Sequence, residues 1–174
     1  PRMERKQFLH VFKSYSPVEQ TAQALFRPKA RVHWSGLVGS ATSVCATAVA
    51  EQVPGNHVFI LGDKEQAAYF LNDLQGLYPS DKRVHFYPAS YRLPYQVEAI
   101  DNANVVARAE VLARISKGDN TWVITYPEAL FEKVPTQQNL IENTFRVEVG
   151  KSYAIDFLND LLIEYQFDRV DFVY

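Results

Sequence analysis

The stretch Gly36-Leu37-Val38-Gly39-Ser40-Ala41-Thr42-Ser43 has the position and outline of a phosphate-binding loop, between a strand-like and a helix-like segment. Such loops need glycines that let backbone N–H groups surround phosphates, a lysine that reaches the terminal phosphates, and a serine or threonine for Mg²⁺. Gly36, Gly39 and Ser43 match that pattern, but Ala41 replaces the last glycine and Thr42 replaces the lysine. The sequence therefore predicts a degenerate nucleotide loop without ATP hydrolysis.

Two other interpretations of this loop stay open. A tight turn between a strand and a helix, whose small residues pack the helix on a sheet, needs the same glycines. A P-loop NTPase lobe that takes its lysine from elsewhere also fits. Such a lobe needs a strand ending in Asp or Glu to hold Mg²⁺. Asp63 is instead expected to cap a helix, and residues 121–126 end without a carboxylate.

Strand-like and helix-like segments alternate outward from the loop. Strands are predicted at 30–35, 57–61, 83–87 and 121–125, and helices at 40–52, from Asp63, at 104–117 ending at Gly118, and from Pro127. Parallel strands are joined by right-handed helical crossovers, so this alternation is typical of a sheet with helices on both faces. The fold class expected is α/β, with a doubly wound parallel sheet.

A helical arm is expected before this region. Phe8, Leu9 and Phe12 recur at helical spacing, and Ser16-Pro17-Val18-Glu19 has the form of a capping box with proline at the first helical position. These signals predict two helices, the second reaching about Phe26.

The pattern changes again beyond about Pro135. Residues 145–150 alternate apolar and charged side chains, as a strand with a wet face does, and Ser152 is expected to cap a helix. The apolar run at 170–174 predicts a further strand at which the sequence stops, so we expect a fragment of a longer protein. The expected domains are a helical arm at 1–28, an α/β domain at 29–134 and the truncated start of an α+β domain at 135–174.

Composition limits the classes of function. The 174 residues include 18 Lys and Arg against 20 Asp and Glu, which gives no basic field that would draw the chain onto nucleic acid. No apolar run approaches a membrane span, and the single cysteine, Cys45, cannot form an internal disulfide. We expect a cytoplasmic protein with no membrane contact and no strong nucleic-acid binding.

No spacing in the sequence indicates a metal centre or a catalytic nucleophile. The four histidines stand singly, so no metal ligand set is predicted, and no cofactor is expected. Cys45 lies among small residues of a helix and is interpreted as a core thiol. Arg108 and Arg114, with Glu110 between them, are interpreted as a solvated or interdomain face.

The aromatic and proline-rich stretch at 86–95 has two interpretations. Its rings cap the sheet as a rigid loop, or they fill a pocket of a partner protein, or, through Tyr91, Arg92 and Tyr95, they stack nucleic-acid bases. The rigid loop is favoured.

In their order and spacing, four pieces of the chain resemble the N-terminal, UvrB-homologous module of bacterial transcription-repair coupling factors, the Mfd family. They are the degenerate loop at 36–43, the Cys45-Ala46-Thr47-Ala48-Val49-Ala50-Glu51 run, the Leu93-Pro94-Tyr95 triplet and the Phe167-Asp168-Arg169-Val170-Asp171-Phe172 segment. UvrB has an intact P-loop at the first position. It also inserts a long DNA-clamping hairpin where this chain has only residues 87–104.

The resemblance implies an adaptor that recruits UvrA to a stalled RNA polymerase in nucleotide excision repair. In that family, ATP-driven motor domains lie further along the protein. The region from about Pro135 corresponds to the UvrA-docking domain, and Phe167, Arg169 and Asp171 match its docking segment. An arginine beside an aromatic ring is a common interface anchor. Alternatively, Phe167 is a core residue and Arg169 pairs with Asp171 at a strand edge. The partners implied are UvrA and other domains of the full-length chain.

Overall fold

Three short strands form one parallel sheet with β3 at its centre. They are β1 (His57–Ile60), β2 (Val84–Phe86) and β3 (Trp122–Thr125), ordered β1-β3-β2. In register, His57 and Val84 both lie beside Trp122. All four residues of β3 are buried, because strands and helices surround it. In this computed structural model, the described residues are 5–79, 81–90, 101–136, 138, 145 and 147–164.

Helices flank the sheet, so the α/β fold class is confirmed at this level. In the described ranges they are α1 (Arg5–Lys13), α2 (Ser16–Leu25), α3 (Ala41–Ala50), α4 (Lys64–Leu77), α5 (Asn102–Lys117), α6 (Pro127–Phe131) and α7 (Ile155–Glu164). The chain divides into two compact units, Pro1–Lys133 and Val134–Tyr174. The first unit contains the sheet with α1 to α6, and the second contains α7.

Local signals set the ends of the helices in the first unit. Asp63 caps α4 by accepting a 2.8 Å hydrogen bond from the backbone N–H of Gln66. Gly118 ends α5 with a left-handed φ of 77°, a conformation that glycine adopts without strain. Pro127 lies in the first turn of α6. These three sequence predictions are confirmed.

Aromatic side chains dominate the core between the sheet and α4. Phe59 packs on Phe70 with ring centroids 5.0 Å apart, and Tyr78 meets the edge of Trp122 at 5.3 Å. Burying each such ring contributes about 2 kcal/mol relative to exposing it. This cluster therefore fixes α4 against β1 and β3.

The N-terminal arm is part of the first unit and packs on α3. Val18 and Ala22 of α2 share a buried cluster with Cys45, Ala48 and Val49 of α3. These five small and branched side chains let the two helices approach closely.

An ion network joins the arm to the sheet. Glu51, just after α3, accepts from Lys13 at 3.0 Å and from Arg83 at 2.6 Å. Arg83 also pairs with Asp81 and lies 4.4 Å from the Trp122 ring. Burial alone would raise the pKa of Glu51, but the hydrogen bonds from Arg83 and Lys13 outweigh it and lower that pKa.

The predicted capping box at the start of α2 is wrong. The helix begins one residue earlier than that box requires, with Tyr15 at the N-cap and without a side-chain cap. The hydroxyl of Ser16 instead accepts a 3.0 Å hydrogen bond from Gln20. Ser16 therefore lies inside the helix rather than ahead of it.

The strand predicted at 30–35 does not form. Residues 30–38 have no regular secondary structure in the described chain. The side chain of Trp34 is held by α2, since its indole N–H donates a 2.8 Å hydrogen bond to the Thr21 hydroxyl. The alternating pattern is present, but no described strand pairs with this segment.

In the second unit, the strand predicted at 145–150 is also wrong for the described residues. Val149 and Gly150 form a turn, and Gly150 has a left-handed φ of 92°. Glu148 pairs with Lys151 at 2.9 Å across that turn. The predicted cap at Ser152 is wrong too, because α7 starts at Ile155. The further strand predicted at 170–174 lies outside the described residues.

Candidate functional site

The glycine loop leads directly into the first turn of α3. Gly36 and Gly39 have φ values of 79° and 57°, which would strain any residue with a Cβ although the space around them is open. The N–H groups of Ala41 and Thr42 donate within the loop, to Val38 at 3.2 Å and to Gly39 at 3.3 Å. The Ala41 and Thr42 donors are therefore used by turns, whereas a phosphate nest would need such N–H groups free.

Ser43 is the residue at the Mg²⁺ position of the loop pattern. Only 2% of it is exposed. Its hydroxyl lies 2.5 Å from the Asp73 carboxylate of α4 and 2.9 Å from the carbonyl of Ser40. One hydroxyl proton serves both acceptors, and the shorter contact to the charged carboxylate is the stronger. This side chain is thus engaged inside the protein, while Thr42, at the lysine position, is exposed.

An open groove of about 760 Å³ lies beside the loop. Its walls come from α2, the segment before the loop, α3 and the inner face of β1. The lining residues are Thr21, Leu25, Ala30, Arg31, Val32, Trp34, Gly36, Leu37, Thr42, Ala46, Val49, Ala50, His57 and Phe59. His57 places its Nε2 2.8 Å from the Val53 carbonyl, so that ring nitrogen is engaged. The groove is mainly apolar, with Arg31 as its cationic residue.

A second polar cluster closes the carboxyl ends of β2 and β3, the edge at which open α/β sheets usually bind ligands. Arg108 of α5 is 7% exposed and donates to the carbonyls of Pro88 at 2.8 Å and Ala129 at 2.9 Å. Its guanidinium also lies 3.4 Å from the Glu132 carboxylate and 4.3 Å from the centre of the Tyr87 ring.

The other members of this cluster hold the chain just after β2. Glu132 accepts from the N–H of Ser90 at 2.8 Å and from its hydroxyl at 2.6 Å. Asn104 donates to the carbonyl of Ala89, whose N–H donates to the Tyr126 hydroxyl. Burial raises the pKa of Tyr87 and of Tyr126, so both stay neutral at physiological pH. These groups bind one another, and the cluster is a structural lock.

The interpretation of Arg108 as part of a solvated face is wrong. Arg114 and Glu110, further along α5, do form a partly exposed ion pair at 3.0 Å. Arg108 instead shares the inner stripe of α5 with Asn104 and Val111, at positions i, i+4 and i+7. That spacing was the sequence signal that could have indicated the burial of Arg108. A charged residue on a buried stripe needs hydrogen-bond or ion-pair partners inside the protein.

Several sequence predictions concern residues outside the described ranges. Phe167, Arg169 and Asp171, the candidate docking residues, are among them. So are Tyr91, Arg92 and Tyr95 of the proline-rich stretch. Within that stretch, Tyr87 is buried and packs under Arg108, which agrees with rings that cap the sheet.

The second unit contains a small group of aromatic side chains around Phe145. Phe145 meets the edges of Tyr153 and Phe157, with centroids 5.9 and 5.6 Å apart. The Tyr153 hydroxyl accepts from the N–H of Glu148 at 3.2 Å. This aromatic group joins the turn at 148–151 to α7.

The described ranges show neither a metal centre nor a reactive thiol. No three His, Cys, Asp or Glu side chains come together there as a metal site would require. Cys45 is buried, and burial raises the pKa of its thiol, as expected for a core thiol. Among the described helices, none combines the length and apolar character needed to cross a bilayer.

No protein-family model matches this sequence, and no curated protein matches it.

Proposed function

We propose that this chain is a catalytically silent adaptor: the N-terminal, UvrB-like module of a transcription-repair coupling factor, which recruits UvrA in nucleotide excision repair. In this proposal the sheet is a doubly wound domain with a degenerate nucleotide loop. The region from residue 135 begins an α+β domain that docks on UvrA. The module acts in the cytoplasm, and ATP-driven steps belong to other domains of the parent protein.

The observation that carries the proposal is the engagement of Ser43 by Asp73 in a loop without a lysine. A triphosphate needs the lysine as a point charge and needs the serine hydroxyl for Mg²⁺. Here Thr42 supplies no charge, and the Ser43 hydroxyl is directed into α4. This geometry supports a scaffold that keeps the shape of a nucleotide-binding domain without its binding groups.

The closed carboxyl edge of the sheet supports the same proposal. Arg108 and Glu132 fill the position where a ligand of an α/β domain would lie, and both are satisfied by neighbouring groups. Since, within the described residues, the polar groups of the glycine loop and of this edge are engaged by the protein itself, we expect the chain to act by recognising another protein.

Binding of UvrA tests the docking part of the proposal. Immobilised chain is expected to retain purified UvrA, and Arg169→Ala is expected to weaken retention at least ten-fold, as the loss of an arginine anchor does. Arg114→Ala, on the exposed pair with Glu110, is the matched control and should leave retention unchanged. Equal retention by all three chains would show that Arg169 is not the anchor, and no retention by any of them would contradict UvrA docking.

Nucleotide binding tests the silent loop. Titration of labelled ATP, with and without Mg²⁺, is expected to show no saturable binding up to millimolar concentration. Saturable Mg²⁺-dependent binding that Ser43→Ala abolishes would overturn the proposal and favour a P-loop NTPase lobe.

A further inference from the structure

The groove beside the glycine loop has the size and the length of a site for a small molecule. Its volume of about 760 Å³ lies within the usual range of ligand pockets. Its floor contains Thr42, Ala46, Val49 and Ala50, which lie on one side of α3 because their spacing is i, i+4, i+7 and i+8. Eight residues of helix rise by about 12 Å. The groove therefore begins at the loop and extends to the other end of α3.

Three apolar side chains that line the groove are open to solvent. They are Leu25 of α2, Val32 of the segment before the loop and Leu37 of the loop, and between 36 and 42% of each is exposed. Apolar side chains that share one concave surface indicate a binding site, whereas scattered ones do not. An apolar ligand in the groove would remove all three from water together.

Trp34 gives the groove a wall that is fixed before any ligand binds. Its indole N–H donates to the hydroxyl of the buried Thr21 at 2.8 Å. Its ring also packs against the buried cluster that α2 and α3 share. A side chain that is already held in place loses little conformational entropy on binding, so this wall favours affinity.

Arg31 determines the charge that the ligand should carry. It lines the groove, and its guanidinium has no hydrogen-bond or ion-pair partner among the described residues. None of the described lining residues is Asp or Glu. A guanidinium pairs well with a carboxylate, because its N–H groups match the two oxygens. One such cation balances a single negative charge, so a monocarboxylate fits and a triphosphate does not.

The other lining side chains indicate what the body of the ligand is. Few of them can form a hydrogen bond, and Thr21 and Trp34 already bond to each other. His57 uses its Nε2 for a backbone carbonyl. A peptide would bring N–H and C=O groups that need partners along the groove, whereas a hydrocarbon chain has none to satisfy. The length of the groove suits such a chain.

From these observations we propose that the groove binds a long-chain monocarboxylate, whose carboxylate pairs with Arg31 and whose hydrocarbon chain lies along α3. Binding covers Leu25, Val32 and Leu37. Because the walls belong to α2 and α3, an occupied groove also stabilises the packing of the N-terminal arm. This site lies in the first unit and is independent of UvrA docking.

Titration of the whole chain with dodecanoate, kept below the concentration at which it forms micelles, tests the site. The NMR signal of the Trp34 indole N–H is expected to shift and to saturate. Trp122, which is buried in the core away from the described lining, is the internal control and should shift far less. Dodecyltrimethylammonium has the same chain and the opposite charge, and it is expected to bind about ten-fold more weakly or less.

Two arginine variants test the assignment of the carboxylate. Arg31→Gln is expected to weaken dodecanoate binding about ten-fold, because it removes a charge-assisted pair. It should not weaken binding of dodecyltrimethylammonium. Arg27→Gln is the matched control, since Arg27 is an exposed arginine just after α2 and is not among the described lining residues. Its affinity for dodecanoate should equal that of the wild type.

Saturable binding that depends on the carboxylate and on Arg31 supports the proposal. Equal affinities for the two probes, or equal losses in the two arginine variants, overturn it, because the charge of Arg31 then selects nothing. The absence of a saturable shift at Trp34 overturns it as well. A Trp34 shift that follows protein concentration without any probe, together with a dimer in sedimentation, would show that a second copy fills the groove, and would also overturn it.

Discussion

Ser43 and Asp73, thirty residues apart in sequence, are joined by a hydrogen bond of 2.5 Å that ties the first turn of α3 to α4. A hydroxyl that an intact nucleotide loop would offer to Mg²⁺ serves here to connect two helices. The same contact therefore bears on stability and on the proposed silence of the loop.

Replacing Ser43 by alanine should destabilise the first unit. The half-buried Asp73 carboxylate loses a charge-assisted bond, which costs about 1–2 kcal/mol in the free energy of unfolding. Urea denaturation followed by circular dichroism measures this change. Ser40→Ala is the control, because the Ser40 side chain is exposed and makes no cap hydrogen bond, so its effect should stay within about 0.5 kcal/mol. Equal effects of the two substitutions would contradict the role assigned to Asp73.

Arg108→Lys should be far more damaging than a conservative exchange usually is. Lysine keeps the charge but cannot serve two carbonyls and Glu132 at once, nor stack flat on Tyr87. The expected loss is about 2–4 kcal/mol, as for a buried pair that loses one partner. Arg114→Lys, in the partly exposed pair with Glu110, is the matched control and should cost less than about 0.5 kcal/mol. Equal melting temperatures of the two variants in thermal denaturation would contradict the structural role assigned to the Arg108 cluster.

Stability should fall in acid partly through Glu51. Its pKa is lowered in the folded chain, so its contribution is complete above the ordinary glutamate value of about 4.3 and is lost as the pH drops through the lowered value. Glu51→Gln should cost about 1 kcal/mol at pH 7, since Lys13 and Arg83 are more than a third exposed. The difference between wild type and variant should shrink toward pH 3. If the difference in the free energy of unfolding between wild type and variant stays constant from pH 7 to pH 3, protonation of Glu51 is not the cause of the acid destabilisation.

Tyr78→Phe should leave stability unchanged or raise it. The Tyr78 hydroxyl is buried near Thr47 and Glu51 without a well-formed hydrogen bond to a described residue, and burial raises the pKa of this group to about 12. Removing an unsatisfied buried hydroxyl gains about 1 kcal/mol, while the ring keeps its edge contact with Trp122. Tyr126→Phe is the contrasting control, because its hydroxyl accepts from Ala89 and its loss should destabilise. A drop in melting temperature for Tyr78→Phe would show that the hydroxyl has a partner.

The sequence predicted what depends on local chemistry. The cap at Asp63, the left-handed end at Gly118 and the apolar runs of all three strands are short-range signals, and each is confirmed. One failure depends on a distant partner, because the 30–35 segment has the expected alternation but no described strand pairs with it. The other failure is local, because α2 begins at Ser16, whose hydroxyl accepts a hydrogen bond from Gln20 instead of capping the helix.

In the candidate site too, short-range signals were predicted and contacts with distant residues were not. The glycine pattern located the loop, yet nothing near Ser43 in sequence indicates that Asp73 occupies its hydroxyl. Likewise, the partners of Arg108 lie 20 and 21 residues away at Pro88 and Ala129. The helical spacing of Asn104, Arg108 and Val111 could have indicated a buried stripe, but the charge of Arg108 led to its interpretation as part of a solvated or interdomain face. The UvrA-docking prediction at Arg169 stays a prediction.

The lone sulfhydryl of this chain has a practical consequence. Cys45 is enclosed between α2 and α3, and burial disfavours its thiolate. Maleimide reagents at neutral pH will therefore couple to an introduced surface cysteine well before they reach it. Fluorophore or spin-label pairs can be installed in the otherwise native sequence, which makes distance changes in solution directly measurable.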